Sequence, residues 1–518
     1  MNGIGSEVDE KKHVVLMCGY LPGATESRSP LTSPVVVRLP ATEVSGDCWE
    51  DVCGGGCGFA MGISVQSMAE ETFVQPLKLL HAISELTSLG YTPVSSFLRA
   101  ESRKLITWGS ADDQGHSYLA SGKHGEIPEP FHLPVETPIR KAAAGWAHIV
   151  LVTEKGVVFT WGWKECVPSQ VKLQRVSVPE ELEGDISAKL NSALIKEVSP
   201  QSRGTTSTVD PLSLTDGKSS GEETIKRRKT SSASGEYDSS SPVDETLSVP
   251  PCIVTLDPGV KITSVAAGGR HTLVLSDVGQ VWGWGYGGEG QLGLGSRIKT
   301  VNSPHLIPCI EQCSNGQEKP NSSHQGSSTS TSVAVKYVGS CIKAIACGGR
   351  HSAVITDTGA LLTFGWGSYG QCGHGNKNDV VSPSCVSSLL DKQIKAVAAG
   401  LWHTLCITTD GHVHAFGGNQ FGQLGLGIGS DEAETSPKLL KASLFENKNA
   451  KTVSCGARHS TILTEDGSLF SWGWNKYGQL GLGDTIDRNI PSEVTENEYR
   501  LRNVSCGWWH TLLLAEPI

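Results

Sequence analysis

Apolar and polar positions alternate in short runs along most of this 518-residue chain. One run, Thr461-Ile462-Leu463-Thr464, is followed by Glu465-Asp466-Gly467 and then by Ser468-Leu469-Phe470-Ser471-Trp472-Gly473. A period of two predicts strands, and Asp-Gly supplies the positive φ that a tight hairpin needs, so the segment reads as two strands and a turn. A second turn follows in Gly478-Gln479-Leu480-Gly481-Leu482-Gly483. It recurs at Gly422 to Gly427, at Gly290 to Gly295 and, with Cys372 and His374, at Gly370 to Gly375. Glycines at these fixed offsets let the backbone reverse and are expected to pack near the axis of whatever the repeats build.

Before each hairpin stands a small residue, then Gly, two variable residues, and His. Ala267 to His271, Cys347 to His351, Ala399 to His403, Cys455 to His459 and Cys506 to His510 are five copies, and Ala144 to His148 is a sixth. Cys53-Gly54-Gly55-Gly56-Cys57 reads as a seventh, with Cys57 in the histidine's place. Uninterrupted copies place their histidines 52, 56 and 51 residues apart, a period that builds propellers or solenoids. The last copy, near Trp508, lacks partner strands, whereas Val14 to Tyr20 is a strand with no motif before it. Pairing the two makes one blade, leaves no open edge, and predicts an all-β, seven-bladed propeller over residues 14–518, closed by its N- and C-terminal strands.

Composition agrees with this reading. The 60 glycines and 13 tryptophans against 4 methionines suit short strands, tight turns and aromatic packing. The formal charge of -10 opposes coating of nucleic acid by bulk electrostatics and favours basic partners. Residues 1–13 read as a disordered polar tail with no secretory pattern, and no apolar run reaches membrane-spanning length. The chain is therefore expected to be soluble and intracellular, with its 15 cysteines reduced. Three insertions are expected outside the ring: 64–103 with a short helix, 167–249 disordered and carrying a basic cluster, and 312–331 disordered.

The motif with its Asp-Gly, Trp-Gly and Gly-Gln-Leu-Gly companions resembles the regulator of chromosome condensation repeat family, and does so over nearly all of the chain outside the insertions. Asp51 to Met61, Trp161-Gly162-Trp163-Lys164-Glu165-Cys166 and Gly417 to Phe421 are similar to plant members concerned with chilling and freezing tolerance. That likeness implies a nuclear, chromatin-associated scaffold that regulates stress-responsive, cold-linked gene expression, with histones or chromatin-bound regulators as partners. The founding member implies an alternative, guanine-nucleotide exchange on a Ran-type small GTPase, although no motif here marks exchange residues. A UV-B photoreceptor of the family carries Gly-Trp-Arg-His-Thr motifs. Here the same slots read Gly269-Arg270, Gly349-Arg350, Leu401-Trp402, Ala457-Arg458 and Trp508-Trp509, and the chain ends at Ile518 without a signalling tail, so light sensing is not expected.

No nucleophile elbow or carboxylate pair points to catalysis, and no enzyme activity, metal or cofactor is expected. His148, His271, His351, His403, His459 and His510 recur with the same neighbours on separate blades. That repetition favours a structural role in which each bonds backbone groups of its own blade. Lys226-Arg227-Arg228-Lys229 suits an import receptor and nuclear localisation, with Thr230, Ser231 and Ser232 beside it as candidate phosphorylation sites. The variable slots hold Trp146, Arg270, Arg350, Trp402, Arg458, Trp508 and Trp509. These form a candidate binding face, since Trp and Arg are frequent interface anchors; packing between blades and ion pairs to the next blade are the alternatives.

Overall fold

The computed structural model describes residues 13–20, 30–37, 47–56, 59–66, 102–109, 128–169, 248–308, 341–427, 432–445 and 447–518. They form seven four-stranded antiparallel sheets, the blades of one ring. Blades 1 to 7 begin at the axis with inner strands Asp47–Gly54, Ile139–Ala144, Ile262–Ala267, Ile342–Cys347, Ile394–Ala399, Ala450–Cys455 and Tyr499–Cys506. Each inner strand touches the next, and Tyr499–Cys506 returns to Asp47–Gly54, which closes the circle. Blade 7 is completed by the start of the chain: Val14–Gly19 pairs with His510–Pro517, Val14 opposite Ala515 and Gly19 opposite His510. Leu31–Val37 is that blade's outer strand.

Strands Phe59–Gln66 and Ser102–Gly109 enter the span 64–103 from both sides, and Ser248–Ile253 takes in residues 248 and 249. His13, bonded to Trp49 O and Glu516, and residues 167–169, with Val167 buried, are ordered where disorder was expected; the rest of 1–13 and 167–249, the span 312–331, the helix expected in 64–103 and the cluster Lys226 to Lys229 lie outside the described residues. Eleven described cysteines are free thiols. Cys385 is disulfide-bonded, which departs from the expectation of a fully reduced chain. No helix among the described residues is long and apolar enough to cross a membrane.

The apolar core is divided among the seven seams between blades. Between blades 5 and 6, for example, Leu405, Ile407 and Leu424 meet Ile462, Phe470 and Trp472. Burying alternate side chains from two facing sheets removes apolar surface from water at each seam, so every blade depends on two neighbours. The hairpin at Glu465-Asp466-Gly467 is a three-residue loop rather than a two-residue one. Gly467 takes a φ of 93°, and Thr464 N–H donates to Ser468 O at 2.9 Å.

The Gly-Gln-Leu-Gly turns do not approach the axis as expected. A Cβ on Gly290 would lie 2.8 Å from Val380 O, on the outer strand of the following blade, so these turns close the outer part of each seam. The glycines at the axis are those of the histidine motif. A Cβ on Gly268 would stand 2.6 Å from Gly348 O and 2.3 Å from the His271 ring, so only glycine admits both the next blade and its own histidine. Backbone bonds then stitch consecutive blades, as in Gly269 N–H to Gly348 O at 3.1 Å and Gly349 N–H to Gly400 O at 3.0 Å.

The histidines bond the next blade rather than the backbone of their own. Nε2 of His148, His271, His351, His403 and His459 lies 2.7–3.0 Å from the hydroxyls of Thr272, Ser352, Thr404, Ser460 and Thr511. Four of those hydroxyls donate onward at 2.8 Å to the carbonyls of Gln291, Gln371, Gln423 and Gln479, in the turns of the blade the histidine came from. Because each hydroxyl proton is spent on glutamine, the hydroxyl must accept from Nε2–H, and the network assigns the neutral Nε2–H tautomer. Four staples thus run from one blade into its neighbour and back.

Strand register corrects the seventh motif. Phe59, not Cys57, pairs with Gly109 as His148 pairs with Gly162 and His271 with Gly285. One extra residue lies between Gly55 and Phe59, and Gly55 N–H to Phe59 O matches Gly145 N–H to His148 O. Phe59 faces blade 2, where Ile149 stands in the hydroxyl's register, so that seam is apolar on both sides. At the closing seam the hydroxyl's register holds Ala60, and buried His510 has no hydrogen-bonding partner among the described residues for either ring nitrogen. Trp49 and Trp108, edge to face at 5.8 Å, pack there with Met17, Leu512 and Leu514.

Burial holds the six histidines neutral, lowering His148 and His510 to about 4 and His271, His351, His403 and His459 to about 3. The unfolded chain takes up protons below about pH 6.5 that the folded ring refuses. The stability these groups contribute is therefore full above pH 6.5 and is lost progressively as pH falls through about 4 and about 3, with a slope of at most about 8 kcal/mol per pH unit for six sites. Urea midpoints measured from pH 7.5 to 5 should fall steeply below 6.5; a flat profile would contradict neutral burial. Ala60→Ser should give His510 its missing acceptor and raise unfolding free energy by about 1 kcal/mol. An unchanged or lowered midpoint for that variant would refute the staple at this seam.

Candidate protein-binding face

The inner strands end at one face of the ring in the motif loops, so the two residues before each histidine emerge there side by side. Trp146, Arg270, Arg350, Trp402, Arg458, Trp508 and Trp509 all lie on this face. Trp146 is buried and the other six are half-buried. The arginines stack on rings. Arg270 lies 4.5 Å from Trp163 and 5.3 Å from Trp146, Arg350 lies 5.3 Å from Trp366, and Arg458 lies 4.6 Å from Phe421, 5.1 Å from Trp402 and 5.3 Å from Trp474. A guanidinium over an aromatic face is attracted by the ring quadrupole while its edge stays open to carboxylates.

Two arginines also meet acids, on the preceding blade and not on the next as expected: Arg350 with Glu289 at 3.1 Å and Arg270 with Glu165 at 3.9 Å. The aromatic contacts run on from ring to ring. Trp366 meets Tyr369, which stacks on Trp402 at 5.3 Å, and Trp474 meets Tyr477, which reaches Trp509 at 5.9 Å. Trp509 meets Trp508, and Trp508 stacks on Trp146 at 5.4 Å.

Trp163, Tyr286, Trp366, Trp474 and Tyr20 were missed by the sequence reading, as were Tyr369, Phe421 and Tyr477. Their signal was present. Each member of the first group follows the Gly of a Trp-Gly, Phe-Gly or Cys-Gly pair, and the second group precedes the Gly-Gln of three outer turns, Glu289 holding that place in the fourth. Gln371, Gln423 and Gln479 fix the second group by accepting from the backbone N–H of Tyr369, Phe421 and Tyr477 at 2.9 Å.

Trp146 and Trp508 also line one mouth of an axial cavity of about 340 Å³, walled by small residues such as Ala143, Ala266, Ala346, Ala398 and Ser454. Their stacking spans blade 1, where Gly54, Gly55 and Gly56 stand; a Cβ on Gly56 would lie 2.7 Å from Trp146 Cα. The opposite end of the inner strands is polar. Asn503 Nδ2 donates to Asp51 Oδ1 at 3.0 Å, Lys141 Nζ donates to Ser264 Oγ at 3.1 Å, and burial pushes the Asp51 carboxyl up.

Over residues 228–513, more than half its length, the chain matches the RCC1-like domain. The chain belongs to the RCC1-like domain family. Among relatives of this RCC1-like chain, the ultraviolet-B receptor UVR8 of Arabidopsis thaliana is 34% identical over 260 residues, which is 50% of this chain and 52% of the receptor. The X-linked retinitis pigmentosa GTPase regulator of Canis lupus familiaris is 42% identical over 151 residues, 29% of this chain and 15% of the regulator. Human WBSCR16 has the same fold at a TM-score of 0.61 and 18% identity, covering 98% of this chain and 100% of the other. Prp20p of Saccharomyces cerevisiae does so at 0.61 and 16%, covering 98% and 93%.

Proposed function

We propose that this RCC1-like propeller is a nuclear, chromatin-associated scaffold that binds basic proteins, histones foremost, through the aromatic and arginine face, and that it performs no covalent chemistry. The observation that carries the reading is the concentration of Trp and Arg in the variable slots of an otherwise repetitive ring, beside Trp and Tyr of the adjoining turns. Such side chains lose little conformational freedom on binding and bury large areas, which suits interface anchors. A net charge of -10 favours approach of a basic partner. The structure of Prp20p is described together with that protein's binding to Gsp1p and histones, which supports a histone partner for a ring of the same fold.

On this reading the chain reaches chromatin by way of an import receptor that grips Lys226-Arg227-Arg228-Lys229. There it regulates stress-responsive, cold-linked gene expression, as its likeness to plant members implies. A second reading, nucleotide exchange on a Ran-type small GTPase, rests on the resemblance of the repeats to the founding member of the family.

Two experiments separate these possibilities. The purified chain should retain histones, should lose at least about ten-fold in affinity in the double variant Arg350→Glu with Trp402→Ala, and should leave a GTPase loaded with labelled GDP unchanged. Catalytic release of GDP, or histone binding indifferent to the double variant, would contradict the scaffold. Changing Lys226, Arg227, Arg228 and Lys229 together to Ala should abolish nuclear accumulation of a fluorescent fusion; undiminished import would refute their role.

A further inference from the structure

We propose that the aromatic patch formed by Trp508, Trp509 and Tyr477 is an acceptor for a lysine or arginine side chain of the bound partner. The inference rests on the reading of this face as a binding surface and names the chemistry that one sector of it recognises.

The repeat supplies the argument. In blades 3, 4 and 6 the residue before the motif histidine is Arg270, Arg350 or Arg458, and each guanidinium lies within 5.3 Å of an aromatic ring centre. Blade 5 has Trp402 in that slot, and the following blade covers it with Arg458 at 5.1 Å. Blade 7 has Trp509 there. In the sequence the residue before Phe59, which stands in histidine register in blade 1, is Gly58 where blades 3, 4 and 6 have Arg. Among the described residues no cation lies over Trp508 or Trp509, and the nearest to Tyr477 is Lys476, at 6.0 Å from its ring centre.

Among the described residues, the contact that Arg270, Arg350 and Arg458 make with neighbouring rings has no counterpart over Trp508 or Trp509. Trp508 and Trp509 are half-buried, and their rings are set edge to face at 6.4 Å, with Trp508 stacked on Trp146 and Tyr477 against Tyr20. A cation placed there gains the quadrupole attraction that Arg458 gains elsewhere, and a neutral side chain of equal length does not. The chain's net negative charge concentrates basic segments around it without deciding where they sit.

The test titrates the full chain with a histone-tail peptide rich in lysine and arginine, and with the same peptide after lysine acetylation and replacement of arginine by citrulline. Trp509→Arg supplies the missing internal cation in the pattern of blades 3, 4 and 6, and Trp509→Phe keeps an aromatic ring. The basic peptide should bind and quench tryptophan fluorescence, and the neutralised peptide should bind roughly ten-fold more weakly. Trp509→Arg should weaken the basic peptide by a similar factor at unchanged melting temperature, and Trp509→Phe should stay within about three-fold of the parent.

Equal binding of the basic peptide by parent and Trp509→Arg would overturn the patch as the anchor, while loss of histone binding in the Arg350→Glu, Trp402→Ala variant would still uphold the face. Failure of both peptide and histones to bind the parent would sink the broader reading as well. Dimerisation of the parent that Trp509→Arg abolishes, without an effect on peptide binding, would assign the patch to a second copy of the chain and overturn the proposal.

Discussion

Everything in this ring depends on how one blade is fixed to the next. A four-stranded sheet with two apolar faces has no core of its own, and the seven seams supply seven small cores in its place. Apolar packing alone is non-directional and would tolerate sliding. Register comes from the staple in which a buried histidine donates to a hydroxyl of the next blade and that hydroxyl donates back to a glutamine carbonyl. Both bonds are buried, where leaving either group unpaired is costly, so four seams are locked at one depth, and the seam between blades 2 and 3 carries the His148–Thr272 bond. The glycine before each histidine is the steric condition for that lock, because the imidazole and the next blade's carbonyl both occupy the space a side chain would need.

The two seams flanking blade 1 break the rule, and the way they do so links the scaffold to the binding face. Phe59 and Ile149 replace donor and acceptor together, leaving an apolar seam, whereas His510 meets Ala60 and stays unpaired. The glycine-rich loop between Gly54 and Phe59 is one residue longer than its counterparts and carries no bulky side chain at its described positions. Trp508 and Trp146 close over it from either side at one mouth of the axial cavity. The sector of the ring that departs from the staple is thus the sector where Trp146, Trp508 and Trp509 gather at the motif loops.

Much of this was legible in the residues. The period, the hairpin signals and the mismatch between the two ends of the chain were enough for seven blades and for the closing strand, since all of these are local patterns repeated. Cys57 was misread because an insertion of one residue inside the motif cannot be seen without strand register, and only pairing with Gly109 shows that Phe59 takes the place. The target of the histidines was also out of reach. Thr272, Ser352, Thr404, Ser460 and Thr511 each follow a motif histidine directly, but nothing in one repeat says that the hydroxyl serves the histidine of the repeat before it. Of the candidate face, the variable slots were legible and the aromatic residues after Trp-Gly were not, because a single Trp, Tyr or Phe in a turn reads as packing until the ring lines it up with its neighbours.

The most direct measurement is hydrogen–deuterium exchange of the full chain with and without bound histones. Protection should appear in the motif loops around Trp146, Arg270, Arg350, Trp402, Arg458 and Trp508 to Trp509, all on one face. Protection confined to the other end of the inner strands, around Asp51, Lys141 and Asn503, would contradict the assignment of binding to the aromatic and arginine face.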